Sequence, residues 1–461
     1  MTQPMANPST SAHSAPSEWV HLTSIPFAGG AVERYRLPNG LLVLVHEDHS
    51  APVVTYHTWF RVGSRHEKPG KTGLAHLFEH LMFNETEGLK AGEFDEKLEE
   101  NGAESNAATW VDWTYYYESL PKERLDLAIQ LESERMSRLV LREPQVASEK
   151  DVVANERRYR VDDDVEGAAS EVLYKTAFTV HPYHWPTIGW MEDILAFTPA
   201  DCLTFYRTFY APNNAVVVVC GDVDAKTVLA EIAKAYAHIP ASHIPPEDIQ
   251  PEPPQREARE VTLKKPTTSA KVYVAFRGPA FGDADHATLT VLNEILFGGR
   301  ASRAHRILVS EKEMATDIRG WVSTFTHPGL YEMNVTARPP HGAEELEREL
   351  YAIVEAVKTE VVSQEELDRA KARLELSLLQ SLDTAGGKAE QMGFYETMVG
   401  DPAGAFRRLE AYQRVTAGEI RTAARRYLQT ESRSVVRVLP EDEDPDAEGE
   451  TEDDVQAEVA E

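Results

Sequence analysis

Gly73-Leu-Ala-His76-Leu-Phe-Glu79-His80-Leu81-Met-Phe83 decides how this 461-residue chain reads. On an α-helix, side chains four residues apart stand one above the other, so both imidazoles can reach one metal ion, with Glu79 beside them on the same face. The order His-x-x-Glu-His reverses the commoner His-Glu-x-x-His and delivers the same groups: two neutral nitrogen ligands and one carboxylate base. Leu74, Leu77, Phe78, Leu81, Met82 and Phe83 surround the trio, so its polar groups are expected to be partly buried. Buried polar groups need partners, and a metal is one. The pattern implies zinc-dependent hydrolysis.

A catalytic zinc takes three protein ligands and keeps a fourth place for water, so a third donor must come from elsewhere. The candidate is Glu156, in Arg142-Glu-Pro144-Gln-Val-Ala-Ser-Glu149-Lys-Asp-Val-Val-Ala-Asn-Glu156, which starts with Pro near a helix N-terminus and then runs without breakers. Glu149 and Glu156 are two turns apart and share a face, so one can ligate while the other supports a ligand or a substrate amine. Composition alone would make the same stretch a solvated, charged face.

The chain is long enough for two or more domains. Its formal net charge of -29 excludes a nucleic-acid partner on electrostatic grounds, and twelve acidic residues with no Lys or Arg fall in 441–461, read as a disordered acidic tail. Residues 1–30, polar at the start and lacking both a basic start and an apolar core, read as a disordered leader rather than a secretory signal. No apolar run approaches the ~20 residues of a membrane helix, so the expectation is a cytoplasmic protein without membrane contact. Cys202 and Cys220 are too few for a disulfide framework and read as buried thiols.

The proline-rich stretch 239–258 separates two halves, 31–238 and 259–440. In the first, strands are predicted over 41–46, 53–62, 114–120 and 215–223, with the His76 helix and helices over 121–139 and 144–159 between them. The second repeats that order, with strands over 259–263, 271–276 and 331–336 and helices over 285–296, 343–359 and 364–379. Aligning Ile295-Leu296-Phe297 with Leu81-Met82-Phe83 sets Thr290, Asn293 and Glu294 opposite the metal trio, and Arg369 and Leu376 fall opposite Glu149 and Glu156. The second half therefore keeps the pattern and lacks the donors.

These motifs resemble those of the pitrilysin and insulinase family of inverted-motif zinc peptidases, which includes the mitochondrial processing peptidase and its bacterial relatives. The likeness spans nearly all of residues 33 to 438: Tyr35-Arg-Leu-Pro-Asn39-Gly40, Gly63-Ser64-Arg-His-Glu67, the His76 motif, Asn106-Ala107, the Glu149 and Glu156 helix, His181-Pro-Tyr183-His-Trp-Pro-Thr-Ile-Gly189, and Tyr210-Ala-Pro-Asn-Asn214 through Gly221-Asp222. It implies an α+β fold of two homologous, layered halves joined by the linker, the first binding one zinc ion through His76, His80 and Glu156. Glu79 would be the general base, with Glu149 in support. It also implies an edge strand at Asn106 and Ala107 to which an extended peptide substrate adds. Glu67 reads as a solvated loop charge and His181 as a structural residue packing the zinc half.

One departure concerns the second half, where active members carry an Arg and a Tyr seven residues apart that hold the substrate. Val309 and Thr316 occupy those places here, and the nearby Arg303, Arg306 and Tyr331 read as two surface arginines and a strand tyrosine. The expectation is a peptide-bond hydrolase whose paralogous, metal-free partner subunit brings the Arg and Tyr. The alternative is a non-catalytic structural subunit like the core proteins of respiratory complexes.

Overall fold

Residues 19–441 are described by the structure, a computed structural model, and sheet begins almost at once. Val20–Phe27 (β1) and Gly30–Arg36 (β2) form an antiparallel hairpin turned by Ala28 and Gly29, both at positive φ (43° and 82°), as a two-residue turn requires. The leader expected over 1–30 is thus corrected over 20–30. β1 is an edge strand with only Phe27 buried, so backbone pairing rather than an apolar face makes it a strand, and its composition hides it. The rest of that leader, 1–18, and the tail beyond Glu441 lie outside the described residues.

The first half continues with Leu42–Glu47 (β3), Val53–Phe60 (β4), Leu74–Leu81 (α1), Glu93–Glu100 (α2), Glu104–Thr109 (β5), Thr114–Pro121 (β6), Leu125–Arg138 (α3) and Glu143–Arg157 (α4). Val165–Ala177 (α5), Met191–Ala196 (α6), Pro199–Phe209 (α7), Ala215–Gly221 (β7) and Ala225–Tyr236 (α8) follow. Its sheet runs β1-β2-β3-β7-β4-β6-β5, with β3 and β7 parallel and the other pairs antiparallel. The unbroken apolar run of β7 is fully buried at the sheet centre, as a strand covered on both faces should be.

The second half comprises Arg259–Lys265 (β8), Lys271–Arg277 (β9), Ala284–Phe297 (α9), Ala315–Val322 (β10), Leu330–Ala337 (β11), Ala343–Thr359 (α10) and Gln364–Ser381 (α11). It ends with Ala385–Val399 (α12), Gly404–Arg414 (α13), Ala417–Tyr427 (α14) and Arg433–Pro440 (β12). Its sheet, β10-β11-β9-β12-β8, again has one parallel pair, β8 with β12. That order reproduces β5-β6-β4-β7-β3, so the repetition expected from element order is present in strand topology.

The compact units are not the contiguous segments 31–238 and 259–440. Among the described residues, one consists of 19–154, 186–248 and 376–409, the other of 155–185, 249–375 and 410–441. Each half lends its partner a helix. α12 covers β4 and β7 of the seven-stranded sheet, where Ala389 and Met392 pack with Trp59, Val216 and Val218. α5 lies on β8, β9 and β12 of the five-stranded sheet. The passages run through α4 and α11, which continue unbroken across the division, so no turn in the sequence marks them. Residues 240–256 have neither helix nor strand but are fixed: Ser242 exchanges hydrogen bonds with Asn213, and the Glu252 carboxylate accepts from the amides of Thr179, Val180 and His181.

Candidate metal centre and peptide edge

α1 divides by face. Leu74, Ala75, Leu77, Phe78 and Leu81 are buried in the first core, while His76, Glu79 and His80 remain partly accessible. The Tyr116 hydroxyl of β6 donates to the Phe78 carbonyl at 3.0 Å and ties the middle of the helix to the sheet. Burial raises the phenols of Tyr115, Tyr116 and Tyr210, and the Glu79 carboxylate adds to each, so its charge acts among hydroxyls that stay protonated.

α4 brings Glu156 to the two imidazoles. One ligand atom from each of His76, His80 and Glu156 lies within 4.8 Å of the others, and this is the one such group of three or more among the described residues. The division between compact units falls inside α4, after Ala154, so Glu156 is placed by a single continuous helix. The two rings are 5.1 Å apart, inclined at 68°. Glu149, two turns earlier, sets Oε2 3.9 Å from His80 Nδ1 and accepts from Asn84 Nδ2 at 3.0 Å. Arg160, one turn beyond Glu156, donates to its Oε1 at 2.9 Å. Two neutral imidazoles and one carboxylate are a donor set suited to zinc.

β5, which carries Asn106 and Ala107, pairs only with β6 and leaves its other edge open among the described strands of its sheet. Ala107 packs against the first core, Asn106 is exposed, and the Asn106 side chain accepts from the Ala107 amide at 2.8 Å.

Two residues behave differently from their sequence reading. Glu67 is buried, not solvated, and accepts from the amides of Gly73 and Ala75, both at 2.8 Å. Burial pushes its carboxyl up while those two bonds pull it back. The signal was Gly73, an N-cap without a capping side chain, which leaves the first amides of α1 to a group from elsewhere. His181 packs within the second compact unit, its Nε2 2.8 Å from His327 Nδ1, and not in the zinc half.

In the second half, the positions opposite the trio serve the fold. Thr290 donates to the His286 carbonyl, Asn293 to the Gly320 carbonyl, and Glu294 pairs with Arg373 of α11. Val309 packs against the second core and Thr316 is an exposed residue of β10. Arg303 is held by both oxygens of Glu366, Arg306 pairs with Glu311, and Tyr331 is wholly buried. Cys202 and Cys220 are free and buried, and burial pushes both thiols up to about 12, which removes them as nucleophiles. Among the described residues no helix is long and apolar enough to cross a membrane.

Residues 42–189 match the family model described as insulinase (peptidase family M16), and residues 196–374 match the peptidase M16 inactive domain. Zinc protease PqqE of Helicobacter pylori is 33% identical over 361 residues, covering 77% of this chain and 81% of that protein. The probable mitochondrial-processing peptidase subunit beta of Arabidopsis thaliana is 26% identical over 433 residues, 89% of this chain and 78% of that protein. The crystal structure of a protease from Helicobacter pylori superposes with a TM-score of 0.86 at 30% identity, covering 89% of this chain and all of that one. With residues 42–189 and 196–374 matched by the two family models and the fold shared over 89% of its length, this chain belongs to the insulinase family, peptidase family M16.

Proposed function

We propose that the chain is a zinc-dependent endopeptidase of small or unfolded peptides and the metal-bearing subunit of a heterodimer. The observation that carries this is the convergence of His76, His80 and Glu156 with Glu79 on the same helix. Small side-chain rotations bring donors so spaced to the ~2.0–2.2 Å bonds of zinc. When bound, zinc supplies Lewis acidity toward a peptide carbonyl and lowers the pKa of water to about 7. Glu79, outside the converging donors, accepts the proton of the attacking water and returns it to the leaving amine as the C–N bond breaks, leaving one carboxylate and one amine. Glu149, its Oε2 3.9 Å from His80 Nδ1, would orient the ring from outside the donor set when the metal is bound. An extended peptide adds to β5 through main-chain hydrogen bonds at Asn106 and Ala107.

The second half, whose matching positions are spent on internal bonds, supports a reading of one zinc per chain. Val309 and Thr316 cannot hold a substrate backbone, Arg303 and Arg306 are paired with Glu366 and Glu311, and Tyr331 is buried, which supports a metal-free paralogue as the source of the missing Arg and Tyr. That same lack favours the second reading, a non-catalytic structural subunit.

The test is zinc stoichiometry with cleavage of a quenched fluorescent peptide library, wild type against Glu79→Gln, alone and with a metal-free paralogue. Bound zinc with Glu79-dependent cleavage only in the mixture supports the divided site. Cleavage by the chain alone removes the partner from the proposal. Zinc without cleavage in either arm supports the structural reading.

A further inference from the structure

α1 begins at a residue that cannot cap it. Gly73 sits at φ +95°, and a Cβ there would lie 2.5 Å from the Ile188 carbonyl, so none of the usual capping side chains fits. Glu67 supplies the cap from six residues upstream, one carboxylate oxygen on each of the Gly73 and Ala75 amides, immediately before His76. A buried carboxyl that accepts both amides fixes the N-terminus of the helix by two hydrogen bonds to groups that have no partner within the helix.

The segment that ends in Glu67 is anchored at its other end to the β5–β6 hairpin. The Ser64 and Arg65 amides donate to the carbonyls of Trp110 and Val111 at 3.1 and 2.9 Å, and Arg65 Nε donates to Asp112 Oδ1 at 2.6 Å. Arg65 and Asp112 are 4% and 2% exposed, and a Cβ on Gly63 would lie 2.2 Å from the Trp110 carbonyl. Five residues therefore join the helix that carries the metal donors to the hairpin that carries the open edge.

We propose that Gly63–Glu67 is a positioning bracket: Glu67 sets α1, Arg65 with Asp112 sets the β5–β6 hairpin, and together they hold an edge-bound peptide at a fixed offset from the metal centre. This rests on the zinc-peptidase reading. It separates two effects that a purely structural role would move together: loss at the Glu67 end disturbs the metal site, and loss at the Asp112 end disturbs peptide placement.

The experiment loads wild type, Glu67→Gln and Asp112→Asn with Co2+ as a spectroscopic probe, and measures ligand-field absorption, metal affinity against a chelator and Tm on the chain, and kcat and KM on one cleaved peptide in the presence of the metal-free paralogue. Glu67→Gln is expected to change the cobalt spectrum and weaken metal binding at least tenfold. Asp112→Asn is expected to leave the spectrum as in wild type and raise KM several-fold, with a shifted distribution of cleavage positions. Falls in Tm with unchanged spectra and unchanged KM overturn the bracket, as do parallel losses in both variants. If Glu67→Gln does not fold, Glu67→Asp replaces it for the spectrum, and the KM of Asp112→Asn decides independently. Wild type that binds neither zinc nor cobalt overturns the peptidase reading itself, an outcome distinct from any difference between variants.

Discussion

Glu79, Glu149 and Glu156 carry the same side chain and differ only in where two helices place it, so substitution should separate them. Glu79→Gln is expected to retain zinc at wild-type stoichiometry and lower kcat by on the order of 10²- to 10⁴-fold, read by metal analysis beside peptide cleavage. His80→Ala and Glu156→Ala should lose metal and rate together. Glu149→Ala should keep the site but weaken zinc affinity by about 10- to 100-fold; full zinc in Glu156→Ala with none in Glu149→Ala would exchange their roles. The spacing of His76, Glu79 and His80 was legible because a helix turns spacing directly into proximity. Glu156 needed a second helix, and only the resemblance fixed it as the third donor. Glu67 was misread because its partners are backbone amides brought to it by chain closure, and no side-chain pattern encodes that.

Among the elements, the edge strands are those that sequence describes least well. β1 and β10 each lie at one end of a sheet and alternate only partly between buried and exposed, with Asp317 and Arg319 within β10, so neither presents a clear period of two. The central strands β3, β4, β6 and β7 and the helices α1, α3 and α4 were readable from their apolar patterns, whereas α2, with only Phe94 and Leu98 buried, was not. If β5 takes peptide by strand addition, N-methylating alternate backbone amides of a cleaved peptide should raise KM tenfold or more, whereas side-chain changes at the same positions act less. A second effect belongs to β11 and α5, where buried Glu332 accepts the Tyr174 hydroxyl at 2.6 Å and burial pushes its carboxyl up to about 7 from an ordinary 4.5. Between those values the folded protein keeps a proton that the unfolded chain has released. Stability is therefore fully present below about 4.5 and falls as the pH rises through 7. Glu332→Gln should flatten this dependence and raise stability at pH 8 by up to about 3 kcal/mol, seen by denaturant unfolding at pH 5 and pH 8.

At the scale of the whole molecule, metal and fold are linked through the two helices that carry the donors. Zinc would bridge α1 to α4, so chelation should lower the protein's stability against unfolding relative to the zinc-loaded form. The difference should be about 4 kcal/mol when free zinc stands a thousandfold above its dissociation constant, measured by calorimetry with and without chelator. The duplication was legible from the order of elements, but the reciprocal loan of α5 and α12 was not, because α4 and α11 pass between the units as unbroken helices. That loan bears on inheritance. A gene severed at the proline-rich segment would yield two products, each with a bare sheet and a stray helix, so neither half can be discarded, duplicated or shuffled without the other. The half that bears the metal donors keeps its silent twin at a fixed ratio of one to one, and that twin is free to lose every ligand while remaining indispensable.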